Sequence, residues 1–125
     1  MLRPSIKFRA FHKKKKEMFL VDQIDLTGDQ GVLVYDEDGN EFWFTLEEVE
    51  VMQFTGLHDK NGKEVFEGDI VNSKESTIPV KIEWREEYAE FSLFDKDGFG
   101  FGQFIRQVKY WIIIGNIYEN KEILK

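Results

Sequence analysis

Apolar residues fall in short runs along this chain, separated by polar segments that carry glycine. The clearest alternation is at residues 80–85, where Val80, Ile82 and Trp84 interleave with Lys81, Glu83 and Arg85. A period of two sends one face of an extended segment into a core and the other into water, which predicts a half-buried antiparallel strand. Runs of β-branched and aromatic residues predict further strands at 6–11, 18–24, 32–35, 41–45, 51–54, 64–66, 70–72 and 88–94. Tyr110-Trp111-Ile112-Ile113-Ile114 is an unbroken apolar run, the pattern of a strand covered on both faces, and predicts a central position in its sheet.

One turn signature recurs three times: Asp36-Glu37-Asp38-Gly39, Asp59-Lys60-Asn61-Gly62 and Asp95-Lys96-Asp97-Gly98. The leading Asp can accept the amide two residues on, and Gly supplies the left-handed conformation that closes a hairpin. Three hairpins are predicted. Helix signals are scarce. Thr45 as N-cap with Glu48 three residues on predicts one short helix or 3₁₀ turn, and a second short turn is expected at 119–124.

Composition agrees with a β fold. Aromatics make up 15% of the chain, with twelve Phe, four Tyr and three Trp, and such residues suit a pleated surface. A length of 125 residues fits one domain, or two very small ones that share a core. The absence of cysteine removes disulfides, thiolate nucleophiles and Cys-based zinc sites. No early apolar segment is long enough for a signal or membrane span, so the expected location is the cytoplasm. The net charge of -7 is unevenly spread: residues 1–16 hold seven bases and no acid, and the remainder holds 10 bases against 24 acids. An acidic body repels polyanions, so any nucleic-acid contact is expected to run through the basic head.

The segment MQFTGLHDKNGKEVFEGDIV, residues 52–71, resembles the signature of the YopX family. Residues 6–19 resemble that family's opening hairpin and residues 112–120 its closing strand. The resemblance implies a phage or prophage protein that is mainly β. It implies an N-terminal β portion, residues 1–50, and a small barrel-type C-terminal portion, residues 51–125, which the Gly68-Asp69 turn into a strand, a pattern that also opens many SH3-like barrels, makes SH3-like. It implies no reaction. Where His12 stands, the family more usually has Asp, and the loss of that Asp predicts a weaker turn into Lys13. Glu67-Gly68-Asp69, by the positional meanings of Gly and Asp, reads as a turn that feeds a strand.

Candidate chemistry is sparse. Asp36, Asp38 and Glu41 suggest a calcium loop, but Gly39 stands fourth where that loop needs Gly sixth. His12 and His58 lack ligand spacing, so no metal and no cofactor is expected. Neither a nucleophile elbow nor an organised carboxylate pair is present, so enzymatic activity and a small-molecule substrate are not expected. Gly98, Gly100 and Gly102 lack the strand-to-helix context of a dinucleotide site and predict a flexible loop. Its Phe99, Phe101 and Phe104 are candidates for a partner-binding or subunit-packing surface. Arg9 with Lys13, Lys14, Lys15 and Lys16 are candidate phosphate contacts, with Phe11 stacking on a base. The alternative is a solvated lysine turn that blunts a strand edge.

The leading expectation is a non-enzymatic binding or regulatory module that acts through protein contacts and self-associates through strand edges or aromatics. A nucleic-acid-binding module using the basic hairpin is the alternative. A third reading is an acidic inhibitor that occupies the basic site of a host nucleic-acid-binding protein.

Overall fold

A computed structural model of the protein describes residues 6–73, 78–100 and 102–124, the side chains of 102–104 excepted. The described chain is mainly β, with two antiparallel sheets. It divides into two compact units that part between Gln53 and Phe54.

The first unit contains β1 (Phe8–His12), β2 (Glu17–Asp25), β3 (Gly31–Tyr35), β4 (Glu41–Thr45) and the opening half of β5 (Val49–His58). Their order is β4-β3-β2-β1-β5, each neighbour antiparallel. The register sets Ala10 beside Phe19 and Val32 beside Phe44, which places them on one face, where they pack with Val34 and Val49. Phe19 meets the edges of Phe42 and Phe44 at 5.6 and 5.2 Å. Each such buried side chain contributes roughly 1.5–3 kcal/mol of transfer free energy.

The helix signal at Thr45 becomes a single turn. The Glu48 carboxylate accepts the Thr45 amide at 2.9 Å, and the Glu48 amide donates back to the Thr45 carbonyl at 3.1 Å. Beyond it Val49 is already paired with His12 and buried. Sheet pairing wins because one helical turn holds too few bonds to offset its nucleation.

The second unit holds the rest of β5 with β6 (Glu64–Phe66), and a sheet of β7 (Asp69–Asn72), β8 (Val80–Arg85), β9 (Glu90–Phe94) and β10 (Ile112–Asn116). The order β10-β7-β8-β9 leaves its two ends unpaired with each other, so among the described residues this sheet is open. Its core is Val65, Val71, Val80, Ile82, Leu93 and Val108. Val108 comes from a 3₁₀ helix, Gly102–Tyr110. Ile105, Val108 and Trp111 all pack on this cluster, and a spacing of three stacks side chains on one face of a 3₁₀ helix.

That helix corrects the expectation for residues 110–114. It takes Tyr110 out of the strand, and among the described residues β10 pairs with β7 alone at the end of the sheet, with a register shift between Ile113 and Gly115. Ile112 and Ile113 are half-buried and Ile114 is exposed, so the run is an edge strand and not a central one. The expected short turn at the end of the chain is a 3₁₀ turn at Lys121–Leu124.

The three turn signatures close alike. Asp36, Asp59 and Asp95 each accept two backbone amides through Oδ1 at 2.8–3.0 Å, and the turn glycines have φ of 81–85°. The middle one does more. Asp59 is buried, its Oδ2 accepts the Ile113 amide at 3.1 Å, and the Lys60 amide donates to the Trp111 carbonyl at 2.8 Å. This turn therefore pins the start of β10. Burial works against the Asp59 charge, yet the amides of Ile113, Lys63 and Asn61 and the Lys63 ammonium prevail and hold its carboxyl below the usual range. Downstream, Asp69 Oδ2 accepts the Phe66 amide at 2.8 Å, while the Gly68 amide and carbonyl bond Ile82 and Ile117 at 2.7 and 2.9 Å. The residues of the 52–71 signature thus build turns.

Candidate functional site

Lys13, Lys14, Lys15 and Lys16 form the tip of the β1–β2 hairpin, directly after the His12–Glu17 pair. His12 is buried, with its ring edge-on to Phe44 at 4.4 Å. Its Nδ1 accepts the amides of Lys14 at 3.2 Å and Lys15 at 2.9 Å, and its carbonyl accepts the Lys16 amide at 2.9 Å. The imidazole supplies the acceptor that an Asp would supply at this position. The expected weakening of the turn is therefore corrected, because an unprotonated ring nitrogen accepts backbone amides as a carboxylate does.

The four ammonium groups are not equivalent. Lys13 Nζ donates to the Glu47 carbonyl at 3.1 Å and pairs with Glu50 at 3.5 Å, and Lys15 Nζ lies 5.4 Å over the Phe42 ring. Lys14 and Lys16 are exposed and make no ion pair or ring contact among the described residues. Lys16 closes the turn at φ 59°, in left-handed backbone. Arg9 pairs with Leu20 and Met52, three strand positions before His12 and so roughly 10 Å from the loop. Phe11 is only 4% exposed and offers no face to a base. The structure thus keeps the lysines together and separates Arg9 and Phe11 from them.

Of the aromatic candidates, Phe99 is exposed just beyond the third turn; Phe101 and the Phe104 side chain lie outside the described residues. Among the described residues the third turn closes on one bridge, Phe94 to Gly100, and the 3₁₀ helix begins at Gly102.

A surface that the motifs do not announce lies on the outer face of β2, β3 and β4. The register puts Leu20 opposite Tyr35 and Leu33 opposite Trp43, and Leu33 and Tyr35 are two positions apart on one strand. These four side chains therefore adjoin on the face opposite the Val32, Val34 and Phe44 core. Leu20 is 63% exposed and Trp43 46%, while Leu33 and Tyr35 are half-buried. The Trp43 indole covers Gly31, where a Cβ would stand 2.5 Å from the ring and 2.5 Å from the Phe44 carbonyl oxygen. At the rim the Tyr35 hydroxyl donates to Glu41 at 2.7 Å, and that bond, with desolvation and the Glu41 and Asp22 charges, pushes the Tyr35 pKa up to about 12. β4 ends the strand order, so its outer edge carries no strand among the described residues. The available sequence signal was that residues 32–35 and 42–44 are apolar at successive positions, which supplies both faces.

A second exposed aromatic group ends the β8–β9 hairpin. Trp84, on the face that carries Val80 and Ile82, meets Phe91 edge-on at 5.1 Å yet is 48% exposed. Past it the 3₁₀ turn Glu86–Tyr88 presents Tyr88, with the Arg85 guanidinium 4.5 Å over its ring and 3.4 Å from Glu87.

Among the described residues no group of three or more His, Cys, Asp or Glu could hold a metal ion. His58 is exposed and lies against Phe54 at 5.7 Å. A cleft of about 390 Å³ beside Ile78, Asp95, Asp97 and Ile123 contains carboxylates, but Asp95 is occupied by its own turn. No helix among the described residues is long and apolar enough to cross a membrane.

Nothing among curated proteins matches this chain. Among solved structures it is similar to the crystal structure of protein EF1440 from Enterococcus faecalis, at 25% identity and a TM-score of 0.66, over 98% of this chain and 100% of that one. The family model described as YopX protein matches residues 7–125, almost the whole length. The chain belongs to the YopX protein family.

Proposed function

We propose that this protein is a non-enzymatic binding module of a phage or prophage and that it docks a partner protein on the outer face of β2, β3 and β4. The observation that carries the reading is the adjacency of Leu20, Leu33, Tyr35 and Trp43 on one exposed sheet face beside an end strand. Contiguous exposed apolar surface on a soluble domain marks an interaction site, and aromatics next to an open edge offer a partner both packing and backbone pairing. The Tyr35–Glu41 bond gives the face a polar rim.

The alternative of base stacking on the lysine hairpin has less support, since Phe11 is buried in the same strand. The test is capture from nuclease-treated bacterial lysate with the full chain and with a Leu20→Glu/Trp43→Glu variant. A discrete protein that the wild type retains at about 1 M salt, where the Debye length is about 3 Å, and that the variant loses supports the reading. Recovery of nucleic acid alone from a parallel lysate without nuclease, equally by both proteins, or the same discrete protein retained by the variant, overturns it.

A further inference from the structure

We infer that two copies of this chain associate head to tail, the lysine loop of one docking on the β8–β9 hairpin end of the other. The two surfaces are complementary in charge. Glu83 is paired with Lys81 at 2.8 Å, and residues 85–90 hold Glu86, Glu87 and Glu90 against Arg85 alone, a local charge of -2, with Arg85 already shared between Glu87 and the Tyr88 ring. Beside those carboxylates Tyr88 stands 62% exposed, with Arg85 over its ring. Carboxylates that outnumber the one cation among them make a surface for ammonium groups, which gain charge-assisted hydrogen bonds there.

The lysine loop is built to present such groups. His12 Nδ1 holds the Lys14 and Lys15 amides, so the loop backbone is fixed before any partner arrives and little entropy is lost on docking. Lys13 and Lys15 are committed within their own copy, to Glu47 and Glu50 and to Phe42, which leaves Lys14 and Lys16 directed outward. Lys16 closes the loop in left-handed backbone, with its side chain exposed.

Net charge sets the conditions. Each copy carries -7, so long-range repulsion opposes association at very low salt. At about 0.1 M salt the Debye length is about 10 Å, which screens that repulsion while contacts a few Å long persist; at about 1 M it is about 3 Å and the contacts weaken too. Association is therefore strongest near about 0.1 M, an order that a purely apolar contact does not show. This contact uses a different surface from the outer face of β2, β3 and β4, so its failure and the failure of that docking site are separable.

The experiment is sedimentation velocity on the full chain at both salt concentrations, with a Lys14→Glu/Lys16→Glu variant, a Glu86→Lys/Glu87→Lys variant and their equimolar mixture. Circular dichroism melts confirm that each is folded. The expected result is a wild type that self-associates at about 0.1 M and dissociates at about 1 M, two variants that are each monomeric, and a mixture that re-associates because each carries the surface the other lost. A monomeric wild type at both concentrations overturns the inference. So does association that survives either charge reversal, or a mixture that stays monomeric. The Leu20→Glu/Trp43→Glu variant is expected to self-associate as the wild type does.

Discussion

Single side chains that accept backbone amides hold the tight turns of this protein, and His12 and Asp59 are the two whose removal is most informative. His12→Ala removes the acceptor for the Lys14 and Lys15 amides and is expected to lower stability by about 1 kcal/mol. His12→Asp restores an acceptor at the same position and should recover most of that loss in urea denaturation. Equal damage from Asp and Ala would show that the ring acts by packing on Phe44 and not through Nδ1. Asp59→Asn leaves one oxygen where Asn61, Lys63 and Ile113 supply three amides, so a loss of about 1–3 kcal/mol is expected. Because the folded carboxyl of Asp59 lies below its unfolded value, its contribution is fully present above the unfolded value, about pH 4, and is lost as pH falls through the folded one. The melting temperature of the wild type should therefore decline more steeply below about pH 4 than that of Asp59→Asn.

At the scale of elements, close approach decides which substitutions the β3–β4 hairpin tolerates. Gly31 lies under the Trp43 ring and beside the Phe44 carbonyl, both 2.5 Å from where a Cβ would stand. The ring can turn aside, but the backbone oxygen belongs to the ladder. Gly31→Ala is expected to cost about 1–3 kcal/mol and to raise the exposure of Trp43, visible as a red shift in tryptophan fluorescence. Unchanged stability would mean that the hairpin can open at its Thr45 end without loss. The 3₁₀ helix Gly102–Tyr110 is the element that reshapes the end of the chain: by burying Val108 it draws Tyr110 and Trp111 out of the strand and limits β10 to Ile112–Asn116.

At the scale of the whole molecule, stability rests in two apolar cores and interaction rests on the surfaces outside them. Phe19→Ala in the first unit is expected to cost about 3–5 kcal/mol and Ile82→Ala in the second about 2–5 kcal/mol, since each leaves a cavity in buried surroundings. Lys14→Glu/Lys16→Glu, on exposed positions, should shift stability by less than about 0.5 kcal/mol per site while it abolishes self-association. Parallel urea titrations of the three variants check this division. A large loss in the lysine variant would assign the loop a structural role in place of an interactive one.

The local sequence by itself determined the strands and the turns. Val80, Ile82 and the three Asp-led signatures act through neighbours a few residues away, so period-two patterning, amide acceptance and glycine placement are readable without the fold. The family signature at 52–71 was equally legible, because its Asp59, Gly62, Gly68 and Asp69 do local work in turns. Tertiary structure alone decided the rest. Whether Phe11 faces a core or a base depends on what covers the strand, whether residues 110–114 lie centrally depends on which strands flank β10, and Leu20 meets Tyr35, and Leu33 Trp43, only once the register of β2, β3 and β4 is set. Burial and adjacency are properties of pairs of residues distant in the chain, and they are set by the packing of the whole unit and not by the composition of any one segment.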